Sequence, residues 1–371
     1  MKVRDLQHAL LPPLTEEDRS RQKMVVSLRK MINGRLRPRN VELYETEGAP
    51  AFAAAHGRAP QSPDEITDAM FMSQRYRMWS GLSRASQEMI WIAAGTALLR
   101  DETRAKAAVK TLPMLGSLSL DPDFLTPAEI ATLDIHLQPG GYALDRSEDD
   151  MLAGAFYEAG GNIYAFGQGI GKGDSKAGAV IRHLEAAHPG FRVERMVDLG
   201  CSAGAATCAW AHHYPEAQVH GVDVGAAMLR YAHGRARSLG VSVHFHQASA
   251  AKLSMFPDNR LDLVVSHNLL HEIGRENRRA MFAEALRVLR PGGLLLHQDV
   301  PIRALPNSVV QVERGWDTTY NGENFWNNYA GDDLVSELRS VGFPEGAVAE
   351  HRLSQIDGAA GWYLLAGEKP A

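Results

Sequence analysis

The segment MVDLGCSAGAAT, residues 196–207, places an acid and two glycines between an apolar run and a run of small residues. Asp198 stands near the end of the apolar run, and Gly200 and Gly204 lie in the turn that follows it. Glycine permits a tight bend there and lets backbone N–H groups approach a bound ligand. Asp223 ends the next apolar run, where a carboxylate can accept hydrogen bonds from both hydroxyls of a ribose. This spacing predicts a ligand that contains adenosine.

The elements that must position these residues follow a regular alternation beyond residue 190. Short apolar runs alternate with helical stretches, which predicts a parallel sheet covered by helices on both faces. Two last apolar runs, 346–352 and 361–366, lie close together and predict an antiparallel hairpin at the C-terminal end. The other predicted strands are 195–199, 218–223, 241–246, 261–266 and 293–299, and the predicted helices are 204–213, 225–239, 276–289 and 332–341.

The N-terminal part lacks this alternation of strand-like and helical stretches, and we predict a domain boundary near residue 150. Residues 1–150 are expected to form a mainly helical domain, because apolar residues recur at helical spacing between Ile66 and Lys110. Residues 47–65 are rich in Ala, Gly and Pro and are expected to be a loop or hinge. Two roles stay open for this domain, capping a substrate pocket of the domain at 151–371 and forming a homodimer.

Composition excludes several classes of protein. The 371 residues carry a net charge of −5, which gives no general attraction to nucleic acid or to anionic membranes. A basic stretch at 19–39 is interpreted as a solvated helix face, with an anion-binding arm as the alternative. The only cysteines, Cys201 and Cys208, offer neither a disulfide framework nor zinc-ligand spacing, so no metal site is predicted. With neither a signal peptide nor a membrane-spanning run evident, a cytoplasmic location is expected.

The ordered set of motifs resembles the class I S-adenosylmethionine-dependent methyltransferases. The segment from Asp198 to Gly204 is similar to their first motif, D-x-G-x-G-x-G, with Ser202 in place of the middle glycine. The matching segments that follow are FHQASAAKL at 245–253, LDLVVSHNLLHEI at 261–273 and LRVLRPGGLLLHQDV at 286–300. The resemblance implies an α/β fold, with a Rossmann-like sheet of seven strands that is mostly parallel and ends in an antiparallel hairpin.

The resemblance also implies S-adenosyl-L-methionine as the cofactor. Asp198, Gly200, Ser202 and Gly204 would then surround its methionine part, and Asp223 its ribose. Ala248 and Ser249 would contact the adenine, where Ser249 stands at the place of the family's usual Asp. His267 is assigned to the same region, as a residue that lines the pocket or packs in the core.

The acceptor is predicted to be a small molecule, because residues 266–269 read Ser-His-Asn-Leu. They lack the Asn/Asp-Pro-Pro-aromatic box of enzymes that methylate exocyclic amines of bases or protein glutamine. His271 resembles the general base that follows the fourth strand in small-molecule O-methyltransferases, and an imidazole suits proton removal near neutral pH. Asp299 or Glu272 would orient it. The alternative is that His271 only packs or contacts substrate.

Aromatic and amide side chains are expected to form the acceptor pocket. Most lie in the segment 307–333, and a further group precedes the predicted sheet. Two other functions remain: a protein that binds this cofactor but catalyses a different reaction or acts as a regulator, and an RNA or protein methyltransferase. The predicted substrate-binding residues are Tyr157, Asn162, Tyr164, Trp316, Tyr320 and Trp326.

Overall fold

The computed structural model describes residues 7–164, 176–303, 305, 307–354 and 361–370. One sheet contains all eight of the described strands: β1 Ser117–Ser119, β2 Arg195–Leu199, β3 Gln218–Asp223, β4 His244–Gln247, β5 Leu261–His267, β6 Leu289–Asp299, β7 Val348–Leu353 and β8 Trp362–Glu368. Their order across the sheet is β1-β4-β3-β2-β5-β6-β8-β7.

The pairing of the strands confirms the predicted fold class. Strands β1 to β6 all run parallel to one another, whereas β8 is antiparallel to both β6 and β7. The C-terminal hairpin is therefore present as expected. The structure is an α/β fold with a Rossmann-like, mostly parallel sheet.

Helices cover both faces of this sheet. The described helices are α1 Glu16–Met31, α2 Asn40–Leu43, α3 Ala49–His56, α4 Pro63–Met72, α5 Gln74–Thr111, α6 Ala128–Ala131, α7 Leu152–Tyr164, α8 Lys176–Ala187, α9 Ala205–His213, α10 Ala226–Ser238, α11 Arg275–Val288, α12 Ser308–Arg314, α13 Trp316–Tyr320, α14 Trp326–Gly331 and α15 Leu334–Ser340. Among the described residues, no helix has both the length and the apolar character that crossing a membrane requires.

Alternate residues of the central strands belong to two separate cores. Val197 and Val264 pack with α11 and α15 on one face, whereas Met196 and Leu263 pack with α8, α9 and α10 on the other. All seven residues of β5 are buried, as expected for a central strand between two helical layers. This burial explains why the strands appear in the sequence as continuous apolar runs.

The sheet has one strand more than the predicted seven. The additional strand is β1, which belongs to the predicted N-terminal part and pairs in parallel with β4, Leu118 opposite Phe245. A run of three residues with two serines is too short to show an alternating pattern. The prediction missed it for that reason.

The prediction of a loop or hinge over 47–65 was wrong for much of that range. The structure has α3 over Ala49–His56, and α4 begins at Pro63. Alanine has the highest helix propensity, and Pro50 lies in the first turn, where its missing N–H costs no hydrogen bond. Phe52 is buried, so one face of α3 is fixed by packing.

Helix α7 lies between the helical N-terminal part and the sheet. It packs closely against α5 and α10. This is possible because two of its residues at these contacts are glycines, which have no side chain. A Cβ atom on Gly160 would lie 2.1 Å from the Trp91 ring, and one on Gly154 would lie 2.4 Å from the Cβ of Tyr231. Glu158 on the same helix accepts a hydrogen bond from the Tyr231 hydroxyl and pairs with Arg235.

Candidate active site

A pocket of about 820 Å³ opens at the carboxyl ends of the central parallel strands. Ligands of open parallel sheets bind at this edge. Six predicted cofactor residues line it, namely Gly200, Ser202, Asp223, Ala248, Ser249 and His267.

The turn after β2 has the tight geometry expected from its glycines. Gly200 and Gly204 have φ angles of +64° and +74°, a region that favours glycine. A Cβ atom on Gly204 would lie 2.9 Å from the Cβ of Ala232. Ser202, which replaces the family's middle glycine, also has a positive φ, of +44°, which is strained for a residue with a side chain.

Asp198 lies below this turn and is almost fully buried. Its Oδ2 accepts a hydrogen bond of 2.6 Å from the Thr207 hydroxyl, whereas Oδ1 has no hydrogen-bond partner among the described residues. Burial raises the pKa of Asp198 to about 7, although the Thr207 hydrogen bond opposes the rise. A buried carboxylate oxygen without a partner is costly unless a ligand satisfies it.

Asp223 ends β3 and lines the pocket. Its Oδ2 accepts a hydrogen bond from the backbone N–H of Ser202 at 2.8 Å, and Oδ1 accepts one from that of Gly225 at 2.9 Å. Burial raises the pKa of Asp223, and these two hydrogen bonds oppose that rise. The carboxylate is thus held in one orientation and keeps lone pairs for a ligand.

Ala248 and Ser249, which the resemblance assigns to adenine, both line the pocket. The Ser249 hydroxyl accepts a hydrogen bond from the N–H of Ala251 at 3.2 Å. His267 also lines the pocket, and its Nε2 accepts a 2.9 Å hydrogen bond from the Trp210 indole. Burial, assisted by Lys176, lowers the pKa of His267 to about 3, so this imidazole is neutral.

His271 and Asp299 form a buried pair, as the sequence suggested. The Nδ1–H of His271 donates to Oδ1 of Asp299 at 2.5 Å, and the other oxygen accepts from the N–H of Leu270. Burial lowers the pKa of His271, but Asp299, Glu272 and Glu323 raise it to about 9. The imidazole is therefore protonated near neutral pH in this arrangement, whereas a general base must be neutral. Neither His271 nor Asp299 lines the pocket.

Glu272 lies between His271 and the pocket, which it lines. Its Oε1 is 3.6 Å from Nε2 of His271 and accepts a 3.1 Å hydrogen bond from the Tyr142 hydroxyl. Nε2 of His136 is 3.5 Å from the same oxygen, and Nδ1 of His136 is 2.7 Å from Oε1 of Glu323. Neither His136 nor Glu323 was among the residues predicted from the sequence.

Of the predicted substrate residues, Tyr157 lines the pocket. Trp326 does not line it, but its ring makes a T-shaped contact with His271 at 5.2 Å between ring centroids. Trp316 instead donates its indole N–H to Ser80 of α5 and packs on Trp79. The other three, Asn162, Tyr164 and Tyr320, do not line the pocket either.

The N-terminal part supplies a wall of the pocket that sequence reasoning had not located. Its residues come from the segment 127–142, which contains little regular structure. The capping role of this part and the position of the domain boundary both stay predictions. The lining residues from this segment are Pro127, Glu129, Ile130, Ile135 and Tyr142.

Comparison with known proteins identifies the sheet region. Residues 196–293 match the model of a family described as a methyltransferase domain. The chain is 28% identical over 145 residues to the malonyl-[acyl-carrier protein] O-methyltransferase of Hahella chejuensis, covering 38% of this chain and 47% of that protein. It is 35% identical over 120 residues to the trans-aconitate 2-methyltransferase of Deinococcus radiodurans, covering 32% and 43%.

A solved methyltransferase structure is also similar to the chain. Phosphoethanolamine N-methyltransferase 2 of Haemonchus contortus, in complex with S-adenosyl-L-methionine, is 19% identical, with a TM-score of 0.37 and coverage of 52% of each chain.

The chain spans less than half the length of the two sequence relatives above. The matched segment contains the turn after β2, the end of β3 and β5, which together form the floor of the pocket. Residues 196–293 are thus a methyltransferase domain of the class I family, whose cofactor is S-adenosyl-L-methionine.

Proposed function

We propose that this chain transfers a methyl group from S-adenosyl-L-methionine to a nucleophilic atom of a small molecule, with oxygen or carbon more favoured than sulfur or nitrogen. The observation that supports this most directly is the single pocket shared by two sets of residues. Gly200, Asp223 and Ser249 line its cofactor side, and Glu272 and Tyr142 line another part of it.

The cofactor fits the residues of the first set. The raised pKa and unpaired Oδ1 of Asp198 suit a cationic group, as the methionine ammonium is. The positive φ angles of Gly200 and Gly204 leave the turn free of side chains where backbone must approach a ligand. Asp223 would hold the ribose, and Ala248 with Ser249 the adenine. The bound cofactor supplies an electrophilic methyl group on its sulfonium sulfur.

The chain itself contributes mainly orientation. Tyr142 and Tyr157 pack edge to face at 5.7 Å and give the pocket a rigid aromatic wall. Leu269 lies over Gly200, so that a Cβ atom there would be 2.7 Å from its side chain. Holding an acceptor in line with the reacting group is worth about 7–11 kcal/mol in well-oriented systems.

Glu272 is the proposed contact for the acceptor's proton. It is the one member of the three predicted catalytic residues that lines the pocket. His271 stands 3.6 Å behind its Oε1, and Asp299 fixes the orientation of His271. We therefore assign His271 and Asp299 as positioning residues, in place of the direct base role predicted for His271.

The alternative of an RNA methyltransferase loses support from the basic stretch. Arg19 and Arg21 pair with acids of their own helix, and Arg37 pairs with Glu313. Arg29 is buried and bonds to Gln87. These four cations have partners within the fold, which weakens the case for a docking arm.

The test is an incubation of the purified chain with the cofactor and pools of small metabolites, followed by mass spectrometry. A product heavier by one CH2 group, together with S-adenosylhomocysteine, is expected. Glu272→Gln should lower turnover by about 10²–10⁴-fold while cofactor affinity stays the same. The matched control is Glu185→Gln, an exposed carboxylate paired with His213, which should leave turnover unchanged. Cofactor binding without any methylated product would favour the non-methylating alternative.

A further inference from the structure

The strongest feature not explained by methyl transfer alone is a group of three ligand-type side chains beside the pocket, His136, Glu272 and Glu323, with His271 next to them. We propose that they form a binding site for one divalent transition-metal ion. This proposal goes beyond methyl transfer and does not depend on it.

The donor atoms of His136, Glu272 and Glu323 are close enough to share a single ion, and His271 lies beside them. One atom each from His136, Glu272 and Glu323 lie within 4.8 Å of one another. Nε2 of His271 is 3.6 Å from Oε1 of Glu272 and 3.9 Å from Oε2 of Glu323. Ligands bound at about 2.0–2.2 Å from one metal are separated by distances of this order.

Two of these atoms lack the hydrogen bonds that burial demands. Glu323 is 2% exposed, and its Oε2 has no hydrogen-bond partner among the described residues. Nδ1 of His136 is 2.7 Å from Oε1 of Glu323, but the two are not aligned for a hydrogen bond. Buried polar atoms without partners are rare in folded proteins, and a bound cation would satisfy both.

The surroundings orient the donors as metal sites commonly do. Asp299 accepts the hydrogen bond from Nδ1 of His271, which leaves Nε2 as the nitrogen directed toward Glu272 and Glu323. A carboxylate that fixes a histidine in this way is typical of the groups around a metal ligand. The Tyr142 hydroxyl similarly fixes Glu272. The edge of Trp326 covers the imidazole of His271.

The donor set also selects the kind of metal. An imidazole with two carboxylates suits zinc, iron(II), manganese or cobalt, whereas calcium and magnesium prefer oxygen donors alone. Since Glu272 lines the pocket, an open coordination position beside it can face a ligand there. An acceptor with a hydroxyl or carboxylate group would suit that position, and this last point rests on the proposed function.

Metal binding would change the roles assigned above. A lone pair of Glu272 bound to a metal cannot also take a proton, so Glu272 would then hold the ion, and the ion would polarise the acceptor oxygen. The competing interpretation is that the four side chains form a metal-free network of ion pairs. Direct measurement of binding separates the two.

The experiment uses the full chain after treatment with a chelator and removal of the chelator. Calorimetric titration with Zn²⁺ and with Mn²⁺ should give about one ion per chain for at least one of them, and Co²⁺ should produce visible absorption bands of a coordinated ion. His136→Gln and Glu323→Gln should each weaken binding by about tenfold or more, in line with the effect of disturbing a metal site. Their far-UV circular dichroism should match that of the parent chain, which shows that both variants fold.

The matched controls are His213→Gln and Glu185→Gln, which alter an exposed pair of the same residue types separated by 2.8 Å. These variants should bind the metal as the parent chain does. Failure of all three ions to bind, or binding that His136→Gln and Glu323→Gln leave unchanged, overturns the proposal. Binding without methyl transfer would support the metal site and reject the proposed function. Methyl transfer with no metal binding would support the proposed function and overturn the metal site.

Discussion

Asp198 gives the sharpest prediction, because its environment makes its charge depend on pH near neutrality. Burial raises its pKa to about 7 from the ordinary value of 3.8. If Asp198 contacts the ammonium of the cofactor, as the resemblance implies, binding requires the ionised form. The fraction of ionised Asp198 then limits affinity at low pH.

The expected size follows from this pKa. With a pKa of about 7, roughly one chain in eleven is ionised at pH 6 and about ten in eleven at pH 8, so affinity should fall about tenfold from pH 8 to pH 6. In Asp198→Asn the amide carries no charge. Its affinity should be lower at pH 8 and should lack this tenfold dependence.

The sign for stability is opposite. Because the folded pKa lies above the unfolded one, the folded state holds the extra proton between pH about 4 and 7. The contribution of Asp198 to the free energy of unfolding therefore falls by about 1.4 kcal/mol per pH unit as pH rises through that window. Above the window this contribution is constant.

The assay is isothermal titration calorimetry with S-adenosylhomocysteine at pH 6, 7 and 8. Asp258→Asn changes an exposed carboxylate and serves as the control, which should follow the parent chain. Titration of the ligand's own amine is common to all variants, so the difference between parent and Asp198→Asn isolates Asp198. Equal affinity of the parent at pH 6 and pH 8, or the same dependence in Asp198→Asn, would refute the argument.

Two further predictions concern stability. Gly204→Ala should cost about 1–3 kcal/mol in thermal or urea unfolding, because strain at its φ of +74° adds to the 2.9 Å contact with Ala232. Gly240→Ala, with a φ of +72° and open space around it, should lose only the strain part, so equal losses would contradict the packing argument. Glu158→Gln should cost about 3–5 kcal/mol in urea unfolding, because Arg235 is 1% exposed and would keep an unpaired charge. Glu185→Gln should cost less than about 1 kcal/mol as an exposed pair, and a similar loss in both variants would count against the role of burial.

The sheet and its cofactor edge could be predicted from local patterns. Buried strands such as Leu261–His267 are continuous in the sequence, and the acids Asp198 and Asp223 lie at or near the ends of such strands. The parallel arrangement then brings those ends to one edge, as it does here. Gly200 and Gly204 could be predicted to mark the turn, because their positive φ angles are a property of the local backbone and need no contact with distant residues.

The rest of the site depends on contacts between distant parts of the chain. His136 and Glu323 meet Glu272 only through folding, and neither stands in a motif, so no local pattern could identify them. Trp316 and Tyr320 were predicted to bind substrate, and that role stays a prediction. Their aromatic character suggested a ligand pocket, but Trp316 packs on α5 through Trp79, and Tyr320 stacks on Trp316.

Helix α7 fixes one part of the pocket wall. Its glycines bring its backbone against Trp91 on one side and Tyr231 on the other, so the helix cannot slide or rotate without steric overlap. Because Tyr157 of the same helix lines the pocket, this part of the pocket wall is held in place together with the helix. Its position is therefore set by two glycines that do not themselves line the pocket.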